Sequence, residues 1–182
     1  MKTTSRLLST LLLFLSVSLA APNARAVVPP PDGGYPGFNT AEGQNALFSL
    51  TSGAANTAVG WYSLFSNTEG SFSTATGAGA LLFNTANENT AFGAATLLFN
   101  TTGDANTAGG AAALLNNTTG IVNTAVGAAA LRNNADGNFN TAVGQQALSA
   151  NISGQENTAV GFVALANHPT GTSTRLSVPA RS

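Results

Sequence analysis

The chain has 182 residues, of which only 7% are charged, and it contains no cysteine. That length allows one ordinary domain or one short solenoid, and the lack of cysteine excludes disulfide stapling. Past residue 26 three arginines face seven carboxylates, a balance of −4 with no basic cluster, which excludes an electrostatic footprint for nucleic acid or anionic lipid.

Residues 1–26 read as a secretory signal peptide. A short positive stretch from Met1 to Arg6 precedes an apolar run from Leu7 to Leu19, and Ala24-Arg25-Ala26 offers small residues at a cleavage position. The run is too short for a membrane span, and no later stretch approaches the roughly 18 to 20 apolar residues that a spanning helix needs. The mature product is therefore expected to be exported, secreted or at the cell surface, with no transmembrane segment. Residues 27–38, with Pro29-Pro30-Pro31 and Asp32-Gly33-Gly34, cannot extend a sheet and read as a linker or N-terminal cap.

Residues 39–171 are a tandem repeat. Asn-Thr-Ala-x-Gly recurs eight times, with Ser73 in place of the first Asn in the third copy, and the glycines of successive copies lie 17, 17, 16, 17, 17, 17 and 17 residues apart. One repeat, numbered from that Asn, reads N-T-A-x-G-x-x-A-L-x-x-N-x-x-G-x-x. Its ninth position is leucine in every copy, from Leu47 to Leu165. A period this short belongs to solenoids, in which one coil buries its apolar face only by stacking on the next. The apolar spacing does not fit a helix, and Gly and Asn break it into short strand-like pieces. The fold class expected is all-β, a parallel β-solenoid or β-roll of about eight 17-residue coils, each about 4.8 Å above the last. Residues 172–182 read as a polar C-terminal tail.

Within a coil, positions one to four are expected to form one strand and positions seven to eleven a second. Gly60 and its equivalents form one corner, and Gly53, Gly70, Gly103, Gly120, Gly137, Gly154 and Gly171 form the other. The short third copy lacks that second glycine, and Asn87-Glu88 is expected to supply the left-handed turn there. The twelfth-position asparagines, Asn67 to Asn151, are expected to stack as an amide ladder. The second-position threonines share parity with the fourth position, which is Val59, Phe92, Val126, Val143 and Val160 in five copies, so that side is expected to face inward. The first-position asparagines, the third-position alanines and the return turn from the twelfth position are then the exposed contact surface. Adjacent Ala and Leu at positions eight and nine conflict in parity. Either a local bulge turns both inward, or one column packs on other chains and makes an oligomer.

No residue emerges as catalytic, cofactor-binding or metal-ligating. His168, the only histidine, takes the twelfth position of the last copy and reads as a turn residue, since no nucleophile or carboxylate recurs near it. The seven carboxylates fall at several repeat positions and form no cation-binding column. Trp61, Tyr62, Phe65 and Phe72 cluster in the second copy, but Phe48, Phe65, Phe83 and Phe99 follow repeat positions ten and eleven, so packing is the expected role.

The units from Asn123 to Gly127 with Ala130-Leu131, and from Asn140 to Gly144 with Ala147-Leu148, resemble the head repeats of the YadA-like trimeric autotransporter adhesins. The similarity spans about residues 39–171 and implies a left-handed β-roll, trimerisation and a bacterial source. The family's heptad stalk and membrane barrel have no counterpart in this sequence. The leading functional expectation is a non-enzymatic, adhesin-like structural protein that binds extracellular-matrix or cell-surface ligands through a repetitive face, or the head fragment of a larger surface or fibre protein. A second class is an ice-binding solenoid using the column from Thr40 to Thr158, which the inward parity argues against. A third is a polysaccharide-acting enzyme, disfavoured because the carboxylates are sparse and unpaired. Nothing in the sequence implies a cofactor.

Overall fold

The computed structural model of the chain describes residues 36–177, so the signal-peptide assignment and most of residues 27–38 lie outside the described residues. Among the described residues nine three-residue strands form one parallel sheet in strictly sequential order. They are β1 (Thr40–Glu42), β2 (Thr57–Val59), β3 (Thr74–Thr76), β4 (Thr90–Phe92), β5 (Thr107–Gly109), β6 (Thr124–Val126), β7 (Thr141–Val143), β8 (Thr158–Val160) and β9 (Arg175–Ser177). Register is fixed by the repeat, threonine on threonine and alanine on alanine from Thr40↔Thr57 to Ala142↔Ala159. The protein is a β-solenoid of about eight coils. Its sheet continues past residue 171 into the segment read as a tail, because Arg175, Leu176 and Ser177 pair with β8.

Strands this short do not hold a coil by themselves. Backbone bonds between coils recur around the whole circuit, as in Leu114 N–H to Ala130 O at 3.0 Å, Ala129 N–H to Ala111 O at 2.9 Å and Val122 N–H to Asp104 O at 3.1 Å. Each coil therefore satisfies its polar backbone with its neighbours, as a one-dimensional stack requires.

The parity conflict is resolved inside a single chain. Among the described residues no strand forms over positions seven to eleven. Two tight turns occupy that stretch, shown in the sixth coil by Ala130 N–H to Gly127 O at 3.2 Å and Asn134 N–H to Leu131 O at 3.1 Å. All eight leucines adopt left-handed φ values between 48° and 53°. A left-handed residue breaks the two-residue alternation of a strand, so Ala and Leu both point inward. Such a conformation costs a non-glycine residue about 1–2 kcal/mol, and burying a leucine contributes about 1.5–3 kcal/mol. The balance favours the turn wherever the leucine is enclosed. Leu64, Leu81, Leu97, Leu114, Leu131 and Leu148 are fully buried.

The first strand has the opposite sidedness to the one its sequence suggested. Third-position alanines are buried in every coil, whereas the threonines before them and the residues after them face outward. The first-position asparagines, expected outside, are buried as well. Valine and phenylalanine at position four are outside because the narrow coil is already filled by the two alanine columns, the leucines and two columns of asparagine.

Those asparagines form two parallel amide ladders. At position one, Asn123 accepts from Asn140 N–H at 3.0 Å and donates its amide to Gly137 O at 2.8 Å, a pattern that repeats along the coils. At position twelve, the expected ladder runs through Asn84, Asn100, Asn117, Asn134 and Asn151 with amide–amide distances of 2.6–2.8 Å. It stops at both ends for visible reasons. The amide of Asn84 goes to the Ala86 carbonyl of its own shortened coil and not to Asn67, and His168 replaces asparagine beyond Asn151. The Oδ1 atoms of Asn67 and Asn151 are accordingly left unpaired.

The two corners need glycine for different reasons. Gly127 has φ 129°, and a Cβ there would stand 2.6 Å from the Gly144 carbonyl. Gly120 is not left-handed, but a Cβ there would lie 2.5 Å from Asn117 Oδ1 and 2.7 Å from Asn134 Nδ2, inside the ladder. In the third coil Ala86, not Asn87-Glu88, takes the second-corner position: it is buried, and its carbonyl accepts the Asn84 amide at 2.8 Å. Glu88 is left-handed, at φ 59°, but it occupies the position filled by Ala105 and Val122 in the following coils.

The third coil also carries Ser73 in the asparagine column. Its hydroxyl still accepts Asn89 N–H at 3.2 Å, but it has no amide to span the coil. Ser73→Asn is expected to restore that span towards the Ala86 carbonyl and to stabilise the chain by about 0.5–1.5 kcal/mol, the net worth of an added hydrogen bond. A rise in the urea midpoint at unchanged m-value would show it. An unchanged or lower midpoint would mean that the shortened coil has no room for the amide.

Candidate functional site: the threonine face

Four repeat positions are identical in all eight copies: Thr at two, Ala at three, Gly at five and Leu at nine. The alanine and leucine are interior, and the glycine makes a corner. The threonine alone is repeated without an interior role.

Its placement follows from the strand. With the alanine directed inward, the residues on either side must face out. The threonines are exposed or half-exposed in every strand from β1 to β8. In-register pairing stacks them coil upon coil about 4.8 Å apart. Beside them runs the fourth-position column, which includes Val59, Phe92, Val126, Val143 and Val160, each between 37% and 67% exposed. Along a strand, positions two and four are about 6.6 Å apart.

Among the described residues, the hydroxyls of Thr57, Thr74, Thr90, Thr107, Thr124, Thr141 and Thr158 form no hydrogen bond to another protein group. The thirteenth-position threonines behave differently. Thr51, Thr85, Thr101 and Thr118 each donate to the carbonyl of the next coil at 2.8–2.9 Å. The same residue type is structural on one face and uncommitted on the other.

Other polar groups are occupied or scattered. Asp104 accepts Asn87 N–H at 2.7 Å, and Glu156 accepts the Ser173 hydroxyl at 2.9 Å. His168 is half-buried, with Nε2 3.1 Å from the Thr174 hydroxyl. Among the described residues no three of His, Cys, Asp and Glu gather as a metal site, and no helix is long and apolar enough to cross a membrane. Comparison of the chain with family models, with curated proteins and with solved structures returned no match.

The aromatic residues do not pack in the interior as expected. Phe48 stacks on Phe65 at 5.5 Å and Phe83 on Phe99 at 5.7 Å, coil on coil along the outside of positions ten and eleven. Tyr62 links Trp61 and Phe65 over the second coil at 4.4 and 4.8 Å. Phe48, Phe83 and Phe99 are 69%, 44% and 42% exposed. The aromatics end with Phe99 in the fourth coil, and Leu115 and Asn116 take these positions in the fifth, Arg132 and Asn133 in the sixth. The period in the sequence located both columns, but their outward placement followed the left-handed leucines before them.

Proposed function

We propose that the chain is a non-enzymatic, extracytoplasmic structural protein of adhesin type that binds extracellular-matrix or cell-surface ligands through its repetitive threonine face. The observation that carries this reading is the second-position column: eight repeats retain an outward threonine that packing does not require. A face of this kind works by multivalency, with many weak contacts adding into avidity. The likeness of the repeats to the heads of YadA-like adhesins supports the same reading, as does the signal-like segment at residues 1–26.

The test is retention of the full chain on immobilised matrix proteins and on a glycan array. Single, double and triple substitutions of Thr124, Thr141 and Thr158 by glutamate are expected to weaken retention in increasing steps, because each removes one contact of a multivalent set. Absence of retention, or a triple variant that binds as the parent does, sinks the reading.

Self-association belongs to the proposal too. The alanine and leucine columns are enclosed within one chain, so the surface available for it is the stripe of Phe48, Phe65, Phe83 and Phe99. Light scattering after chromatography is expected to give a trimer that Phe83→Asp with Phe99→Asp converts to a monomer. A parent chain that is already monomeric removes trimerisation from the proposal.

A further inference from the structure

We infer that the threonine face of the last three complete coils is an ice-binding surface, its ligand being the ordered water lattice of an ice crystal. The inference rests on the same face as the binding function proposed above and names a different ligand for it.

The face has the properties that a crystalline, uncharged ligand demands. Thr124, Thr141 and Thr158 stand in register beside Val126, Val143 and Val160, and no other residue type interrupts the patch. The pattern is a two-dimensional array with about 4.8 Å between coils and about 6.6 Å along the strand. Each threonine offers one hydroxyl and one methyl group. Its β-branched side chain is stiff at χ1, so the array is ordered before contact. Little conformational entropy remains to be lost on binding, which is the main cost to a surface assembled from flexible side chains.

The hydroxyls bond to no protein group among the described residues, so their partner in solution is water. Bridging water in a fixed array is nearly as favourable as a direct hydrogen bond at small immobilisation cost. The valine methyls beside the threonine column limit where that water can sit. A periodic ligand whose molecules are already hydrogen-bonded to one another can share such an array, whereas a single soluble molecule meets it at only one or two points. Charge is confined to the ends of the sheet, at Glu42 in β1 and Arg175 in β9. The first- and twelfth-position asparagine amides, the usual groups for reading a sugar, are turned inward. Earlier coils are less regular, since Phe92 protrudes and Gly109 leaves a gap in the fourth column.

The probe is ice itself. A seed crystal held in a solution of the full chain is expected to show a gap between melting and freezing points, together with slowed recrystallisation of fine-grained ice. Thr141→Tyr places a bulky ring in the middle of the array at a position where strand propensity is kept, and it is expected to abolish the gap. Thr102→Tyr, on the exposed return turn, is expected to leave the gap unchanged. Thr141→Lys, again outward-facing, provides a second disruption if the tyrosine variant fails to fold, as judged by its urea midpoint. Absence of a gap in the parent chain overturns the inference. Equal loss in the Thr141 and Thr102 variants overturns the assignment to this face. Retention on matrix or glycan without a freezing gap leaves the adhesive reading standing and removes only the ice ligand.

Discussion

Gly127→Val is expected to destabilise the chain by about 2–6 kcal/mol, the sum of a strained backbone and an overpacked contact. At φ 129° a side chain at this residue is strained whatever space it has, and its Cβ would also press on the Gly144 carbonyl of the next coil. Neither neighbour can yield easily, because the same contact recurs at every coil. Gly110 would meet Gly127, and Gly144 would meet Gly161. In a stack where each coil touches only its neighbours, a defect in the sixth coil interrupts coupling between the coils before and after it. Urea unfolding followed by circular dichroism is therefore expected to change from one transition to two. Gly109→Ala is the matched control. Gly109 lies on the outward face of β5, is not left-handed, and has nothing within 4 Å of the place a Cβ would take. Alanine there is expected to be neutral or to stabilise by about 0.4–1 kcal/mol through the unfolded state. Similar midpoints for the two variants would show that the corner does not depend on glycine.

Asn123→Leu is expected to cost about 2–5 kcal/mol, although it adds apolar surface to a buried position. The substitution leaves Asn140 N–H with no acceptor and removes the amide bond to Gly137 O. A buried group left unpaired costs about 1–3 kcal/mol, and each lost bond adds about 0.5–1.5 kcal/mol. Gly137 O keeps its second donor, Asn134 Nδ2 at 2.9 Å, which keeps the cost from rising further. Asn116→Leu serves for comparison. Asn116 is half-buried and reaches Asn133 Oδ1 at 3.0 Å on the exposed side of the coil, where water replaces the lost partner. Surface changes of that kind stay within about 0.5 kcal/mol. If both variants unfold at the same urea concentration, the first-position ladder contributes no more than a surface pair does.

The burial of the asparagines is also what displaced the binding surface from where the sequence pointed. An argument that counts valine as inside and asparagine as outside places the β6 strand with Val126 in the core and Asn123 in solvent. The coil does the reverse because the Gly137 carbonyl and the Asn140 N–H lie within reach of the Asn123 side chain, so its burial leaves no polar atom unpaired. No equivalent pair of inward partners exists for the threonine hydroxyl next to it, and that hydroxyl is left on the surface.

The period, the parallel register, the eight-coil count and the twelfth-position amide ladder are all legible in the repeat. Each of these follows from repetition, since identical coils stacked in sequence must place like on like. The sidedness is not legible there and emerges only when the coil closes. Strand alternation says only that Thr and Ala oppose each other, and either face could be inside on that rule. Closure of a 17-residue coil selected the small face, because the interior holds alanine and paired amides but has no width for Phe92 or a valine column. The left-handed turn at each leucine then brought a second side chain inward, a conformation that propensity disfavours and only the enclosed burial of that leucine offsets.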